Sequence, residues 1–335
     1  MPANPLQPYP TTPQPRIVSL LPSATEIVAL LGASDLLVGR SHECDFPIPI
    51  FSLPTLTAPR THAQTPAEID RQVRESVHAR QPLYSLDEDL LASLQPDLIL
   101  TQDLCDVCSI DLASVQRVAD RLHPSPEILN LHPTTVEDVL DDLLRIALAI
   151  RREPEGKRAV GRLRERLFAA AEFVNAYVDG PSVAFLEWTD PLFCAGHWTV
   201  QLIERAGGWH PLNPTTPKPT AGAAAGPQMA ERIAGKSIRL PPEVLVATRP
   251  EYLIICPCGL DLDAARAAAV ELASQNWFPE LPAVRNRRVA IVDGRQMFNR
   301  PGPRLVDAFE WLVAWLNGRP ELIPPNFPWE PLHLG

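Results

Sequence analysis

The sequence predicts an α/β protein of two parallel-sheet lobes joined by a long helix. Short apolar runs alternate with amphipathic stretches of about 8–15 residues as far as residue 135, and the alternation restarts after Gly180. Between them a helical period runs almost unbroken. With 45% hydrophobic and 21% charged residues, the 335-residue chain is expected to form a packed core, large enough for one big domain or two ordinary ones. The boundaries read as a tail over 1–15, an N-terminal lobe over 16–135, a helical linker over 136–179 and a C-terminal lobe over 180–335.

The elements follow in order. Arg16–Leu21 reads as a strand and Thr25–Leu31 as a helix stopped by Gly32, with Ser23 and Thr25 as its capping residues. Leu36–Gly39 is a second strand and Thr55–Leu56 a third. Thr65–Val77 is a helix: Pro66 and Glu68 occupy its first turn, and Ile69, Val73 and Val77 recur every fourth residue. A helix over Leu86–Leu94, a strand over Leu98–Thr101, a helix over Ser109–Ala119 and a strand over Ile128–Leu131 complete the first lobe. Thr135–Ile150 is one amphipathic helix. Glu155–Val178 continues the period with Ala159, Leu163, Leu167, Ala170 and Phe173 on one side, ~24 residues and ~36 Å if fully helical. That length suits a spine between lobes. The second lobe then reads as a strand at Ser182–Leu186, a helix at Trp198–Ala206, a loop over 211–227 and a short helix at Pro242–Thr248. The strand Tyr252–Ile255, the helix Leu262–Ser274, the strand Val289–Val292 and the helix Pro303–Asn317 follow. The tail from Arg319 shows no period.

Charge and composition exclude several classes. A formal charge of -10 argues against a broad nucleic-acid surface. No window reaches the ~18 apolar residues of a membrane span, so no membrane insertion is expected. Residues 1–14 lack the basic and apolar regions of a secretory signal. As the sequence stands, the expected place is the cytoplasm; a periplasmic or extracellular one requires a start further upstream. The expected assembly is a monomer. Proline, 38 residues, is scattered between apolar runs and reads as rigid loops and element ends.

In parallel α/β lobes ligands bind beyond the carboxyl ends of the strands. The residues there are Pro22–Glu26, Ser41–Pro47 and Gln102–Cys108 in the first lobe. In the second they are Glu187–Trp198, Cys256–Gly259 and Asp293–Arg300. These loops hold all 6 cysteines together with His42 and His197. Three accounts of the thiols stand open. They are small buried hydrophobes; or His42, Cys44, Cys105, Cys108, Cys256 and Cys258 hold zinc or another soft transition metal; or Cys105-x-x-Cys108 is a redox pair. Tyr84, Trp188, Phe193, Trp198 and Phe298 suit a broad, partly apolar ligand, or else inter-lobe packing. Arg300 and Arg304 either hold an anionic ligand group or pair with carboxylates. The chain has no glycine-rich dinucleotide fingerprint, Walker loop, His-Glu-x-x-His or Gly-x-Ser-x-Gly, and no enzyme is expected. The rival reading is a cytosolic metal-binding protein or a metal-dependent enzyme using the Cys/His cluster, with Glu43 and Asp45 or Glu187 and Asp190 as acid and base.

Arg16-Ile-Val-Ser-Leu-Leu-Pro-Ser-Ala-Thr-Glu-Ile-Val-Ala-Leu-Leu-Gly-Ala33 resembles the opening of the helical-backbone (class III) substrate-binding proteins of ABC importers, in the branch that includes vitamin B12-binding proteins. Leu83–Asp89, Leu94–Gln102 and Gly294–Arg304 extend the similarity over roughly residues 16–317. The resemblance implies two Rossmann-like lobes and a cobalamin or related corrinoid between them, with an ABC permease as partner if the protein is exported. The loop Pro22–Glu26, carrying Ser23 and Thr25, with His42 and Tyr84, would line the N-lobe side of the cleft. Trp188, His197, Trp198, Phe298 and Arg300 would close from the other lobe. Members pair one surface glutamate per lobe with permease arginines, and the motif match does not extend to those glutamates. The set of soft ligands is also richer than a B12 carrier needs.

Overall fold

The computed structural model describes residues 14–60, 65–79, 81–103, 112–175, 177–218 and 232–333. In the N-terminal half these form β1 (Ile17–Ser19), α1 (Pro22–Leu30), β2 (Leu37–Arg40), β3 (Thr57–Pro59), α2 (Pro66–His78) and β4 (Tyr84–Leu86). Next come α3 (Glu88–Leu94), β5 (Leu98–Gln102), α4 (Leu112–Ala119) and β6 (Glu127–Leu131). Two helices, α5 (Val136–Ala149) and α6 (Glu153–Ala171), lead to the second half. That half runs β7 (Val183–Thr189), β8 (Leu192–Cys194), α7 (His197–Arg205), β9 (Thr216–Pro217), β10 (Arg232–Ile233) and β11 (Ile238–Arg239). It ends with α8 (Pro242–Thr248), β12 (Tyr252–Ile255), α9 (Leu262–Ala273), α10 (Pro282–Arg285), β13 (Val289–Val292), α11 (Leu305–Leu316) and β14 (Trp329–Pro331).

The first sheet is parallel throughout, in the order β2-β1-β5-β6. The second has the order β11-β8-β7-β12-β13-β14, and only its centre, β7-β12-β13, is parallel. The hairpin strand β8, with β11 beside it, and the tail strand β14 add antiparallel edges. Parallel strands covered on both faces read as continuous apolar runs. Adjacent residues of β1 accordingly enter different cores: Ile17 faces α1 and α5, while Val18 faces Leu91 of α3 and Val115 of α4. In β7, Val183 and Phe185 face the shared centre, and Ala184 and Leu186 face α8 and α9.

One core runs from β1 through α1, α5, α6, α7 and α11 to β7, so the lobes are welded along their helical faces. Thr135 starts α5 with a reciprocal capping box to Asp138. Gly156 lets α6 approach closely: a Cβ there would sit 2.5 Å from Cβ of Ala147. Arg166 of α6 holds Glu310 (2.8 Å from Nε) and Asp307 on α11. Gln201 of α7 accepts the Val136 N–H at 2.9 Å, and Arg205 pairs with Glu137, so the start of α5 rests on the second lobe.

The third strand lies at Thr57–Pro59, paired antiparallel with β4, and not at Thr55–Leu56, and three further expectations change. The spine helix is 19 residues, about 28 Å, and stops at Ala171. The α1 helix begins at Pro22 behind Leu21, so Ser23 and Thr25 lie inside it and do not cap it. The tail after Arg319 supplies a strand, β14.

Candidate functional site

The carboxyl ends of β1, β2 and β5 open on one side of the first lobe, and Trp188 near the end of β7 and the loop after β13 reach them from the second. On the N-lobe side, Leu20–Pro22, Ser41–Glu43, Thr57, Tyr84, Thr101 and Gln102 line a pocket of about 20 Å³. Its wall is a hydroxyl relay. His42 Nδ1 lies 2.6 Å from Thr57 Oγ1, which also takes the His42 backbone N–H and lies 3.1 Å from Ser41 Oγ. Tyr84 donates its hydroxyl to Glu43 at 3.1 Å, and its ring lies 5.3 Å from that of His42. Burial is the main cause holding the His42 pKa below its ordinary value; Glu43 opposes that shift and Arg40 adds to it.

From the second lobe comes the loop Asp293–Arg304. Arg300 grips Asp45 with both terminal nitrogens, the second at 3.1 Å, donates to the Glu43 carbonyl at 3.0 Å, and lies 3.5 Å from Glu26. Arg304 forks onto Glu26 at 2.8 and 2.5 Å, reaches Gln296 at 2.6 Å, and lies under the ring of Phe46. Glu26 is only 3% exposed and is held between two guanidinium groups of the other lobe. Gly302 closes the seam: a Cβ there would lie 3.3 Å from Cα of Ser23. The Trp188 indole N–H reaches the Pro66 carbonyl at 3.2 Å, a second bridge between the lobes. Of the two readings of Arg300 and Arg304, carboxylate pairing is the one the geometry adopts.

His197 opens α7 in a left-handed conformation, φ 49°, with its ring stacked on Trp198. Its Nδ1 is buried with no partner among the described residues, and burial lowers its pKa, with Lys236 and His132 adding to the shift. His132 follows β6 of the first lobe and bonds Asp103 at 2.7 Å. Histidines of both lobes therefore stand near one another at this edge.

Several residues expected in the cleft lie behind it. Phe298 is fully buried, its ring 5.0 Å from that of Phe185 and 5.9 Å from that of Trp311, because the turn at Met297–Asn299 aims it into the core. Trp198 is buried on the inner side of α7 and donates its indole N–H to the Phe298 carbonyl at 2.7 Å. Ser23 is nearly covered. Thr25 is fully covered, its hydroxyl 2.8 Å from Ser19 Oγ and 3.0 Å from Cys44 Sγ. Helical spacing signals the inward place of Trp198, since Leu202 and Ala206 recur four and eight residues on.

Among the described residues the thiols are not gathered into one cluster. Cys44, Cys194 and Cys256 are fully buried, and Cys258 is exposed. Cys194 is a strand residue of β8 paired with Leu186, not a loop residue. Burial pushes the Cys44 and Cys194 thiols up to about 11 and Cys256 well above its ordinary value. They behave as packed neutral groups. Cys105 and Cys108 lie outside the described residues. Among the described residues no group of three or more His, Cys, Asp or Glu is placed to hold a metal ion. His42, Cys44, Cys256 and Cys258 are not brought together as a ligand set.

The residues that sequence reasoning missed are Glu26 and Asp45 as partners of the arginines. Glu26 sits 278 positions from Arg304, and only the fold joins them.

No family model matches the chain. A vitamin B12-binding protein of Photorhabdus laumondii is 26% identical over 306 residues, 90% of this chain and 88% of that protein. Among solved structures, the periplasmic vitamin B12 binding protein of Vibrio cholerae matches with TM-score 0.61 and 19% identity, covering 91% of this chain and 98% of that one. A periplasmic haem-binding protein of Roseiflexus sp. RS-1 matches with TM-score 0.64 and 21% identity, covering 92% and 99%. One from Pseudomonas aeruginosa gives the same TM-score and identity over 96% of each chain. These relatives are binding proteins. The chain therefore has the class III periplasmic-binding-protein fold, two α/β lobes on a helical backbone, and in sequence it is related to a vitamin B12-binding protein.

Proposed function

We propose that this chain is a binding protein that parts its lobes to admit a metal tetrapyrrole, with a corrinoid of the vitamin B12 class as the ligand, and that it serves the permease of an ABC importer. The observation carrying this reading is the meeting of two sets of strand ends with rings on both sides, His42 and Tyr84 from one lobe and His197 and Trp188 from the other. Flat polar-edged rings over hydroxyl and backbone groups suit a broad ligand that offers both faces and amide edges. The N-lobe pocket of about 20 Å³ takes a water-sized group. A tetrapyrrole is far larger than a water-sized group, so in this reading the seam opens to admit it. Three of the carboxylates named as acid or base are already engaged: Asp45 by Arg300, Glu43 by the Tyr84 hydroxyl, and Glu187 by the Ser237 hydroxyl and the Gly196 N–H.

The relative that spans both lobes supports a corrinoid. Haem is the second reading, favoured by structural neighbours described as haem-binding. Titration with cyanocobalamin and with haemin, followed by visible absorption and native mass spectrometry, decides between them. A one-to-one cyanocobalamin complex is expected. A protein that takes up neither at large ligand excess refutes the proposal, and a one-to-one haem complex alone replaces the corrinoid by haem.

A further inference from the structure

We infer that the seam between the lobes selects a ligand whose periphery is uncharged and rejects one that presents carboxylates. This rests on the tetrapyrrole reading above and concerns the edge groups of the ligand, not its ring.

The inference follows from how Arg304 and Arg300 are engaged. Arg304 gives Glu26 both arms of a fork and its remaining terminal nitrogen to Gln296. Arg300 gives Asp45 both terminal nitrogens and reaches the Glu43 carbonyl and the Glu26 carboxylate as well. Arg40, further back, donates to the carbonyls of Ser41 and Cys44. Asp293 accepts the Arg295 N–H and the Gln296 amide, and Asp103 holds His132.

An incoming carboxylate that took Arg304 would strip Glu26, 3% exposed, of its bidentate partner and leave it only Arg300 at 3.5 Å. A buried charge left without its partner is strongly unfavourable. A carboxylate that took neither would meet Glu43, which lines the N-lobe pocket. An amide edge inserted into an opened pair avoids both penalties: its carbonyl accepts from the guanidinium and its NH₂ donates to the carboxylate, so neither partner is left unsatisfied.

The test holds the ring constant and changes only the edge. Dicyanocobinamide carries amides, and cobyrinic acid carries carboxylates on the same corrin. Equilibrium dialysis at neutral pH and low salt is expected to give cobyrinic acid a Kd weaker by roughly tenfold for each carboxylate held near the seam. The gap should shrink as salt rises, because part of the repulsion is screened. Asp45→Asn should narrow it too, by releasing one face of Arg300. Equal or tighter binding of cobyrinic acid overturns the inference and leaves the corrinoid reading standing. A salt-independent gap in the wild-type chain also overturns it, and needs no variant. Binding of neither corrinoid overturns the corrinoid reading and this inference with it.

Discussion

His210 gives the sharpest physical prediction, because its titration should appear as a loss of stability in mild acid. The residue is fully buried beside the first residue of β7, and its Nδ1–H donates to the Val183 carbonyl at 2.8 Å. That bond fixes the tautomer and leaves Nε2 as a bare lone pair with no partner among the described residues. A proton there would be a buried charge with nothing to accept its N–H, and burial accordingly lowers the pKa from 6.5 to about 4. The unfolded chain binds the proton first. Above pH 6.5 both states are neutral and the residue leaves stability unchanged. Between pH 6.5 and 4 the unfolded state gains up to about 1.36 kcal/mol per pH unit, and below pH 4 the loss levels off. The full loss is about 3 kcal/mol.

Other groups titrate in the same window, including His42 and His197, so the measurement must be a difference. His210→Asn keeps a donor for the Val183 carbonyl and removes the titration. Urea unfolding of both proteins from pH 7.5 to 4 should show the wild type losing about 3 kcal/mol relative to the variant, whatever the offset between them at pH 7.5. A difference that is flat in pH, or that favours the wild type in acid, refutes the argument. An NMR titration of the His210 ring gives a direct check: a folded-state pKa near 6.5 would mean that the site admits water.

Three more predictions concern the seam, the spine and the thiols. Arg300→Ala removes the fork onto Asp45 and should open the lobes; faster amide exchange over residues 41–45 and a larger radius of gyration are expected, and unchanged exchange would mean that the latch is Arg304 alone. Gly156→Val should destabilise the chain by about 1–3 kcal/mol in thermal unfolding, because a Cβ there would press on Ala147 and backbone must move; a neutral result would show that the α5–α6 crossing yields freely. With iodoacetamide and peptide mapping at pH 8, Cys258 should label in the native protein and Cys44, Cys194 and Cys256 only after unfolding; native labelling of Cys44 would contradict its burial.

Much of the fold was legible because the two halves repeat a pattern that burial enforces. A strand covered on both faces must be apolar at successive positions, as at Ile17–Val18 and Val183–Leu186, and a helix laid on it must be apolar every third or fourth residue. Short edge strands were not legible. The strands β8, β11 and β14 are two or three residues long, and their partners decide their state more than their own composition does. The end of α6 was misplaced for a similar reason. The period through Phe173 continues in the sequence, but the Phe173 ring lies under Arg319 and Val174 packs against Gly207, so contacts with the second lobe turn the chain. Propensity gave way to tertiary packing.

The site was legible as a set of loops but not as a set of roles. Position after a strand places a residue near the cleft; the local turn decides whether its side chain faces the opening or the core. Phe298 and Arg300 are two residues apart in one loop, and the turn sends the ring to Trp311 and the guanidinium to Asp45. The same logic separates the cysteines from the chemistry first suggested by their spacing. Cys44 and Cys256 lie beside the cleft in sequence, yet each sulfur is turned inward, onto Thr25 and toward the Asp293 carbonyl. What faces the opening instead is a charge lattice drawn from both halves of the chain. In that lattice Glu26 is the keystone: a carboxylate on the first helix of one lobe that two arginines of the other lobe must leave before anything large can enter. On the proposed reading, admission and selection become one event, because the groups that a ligand must part are the groups that judge its charge.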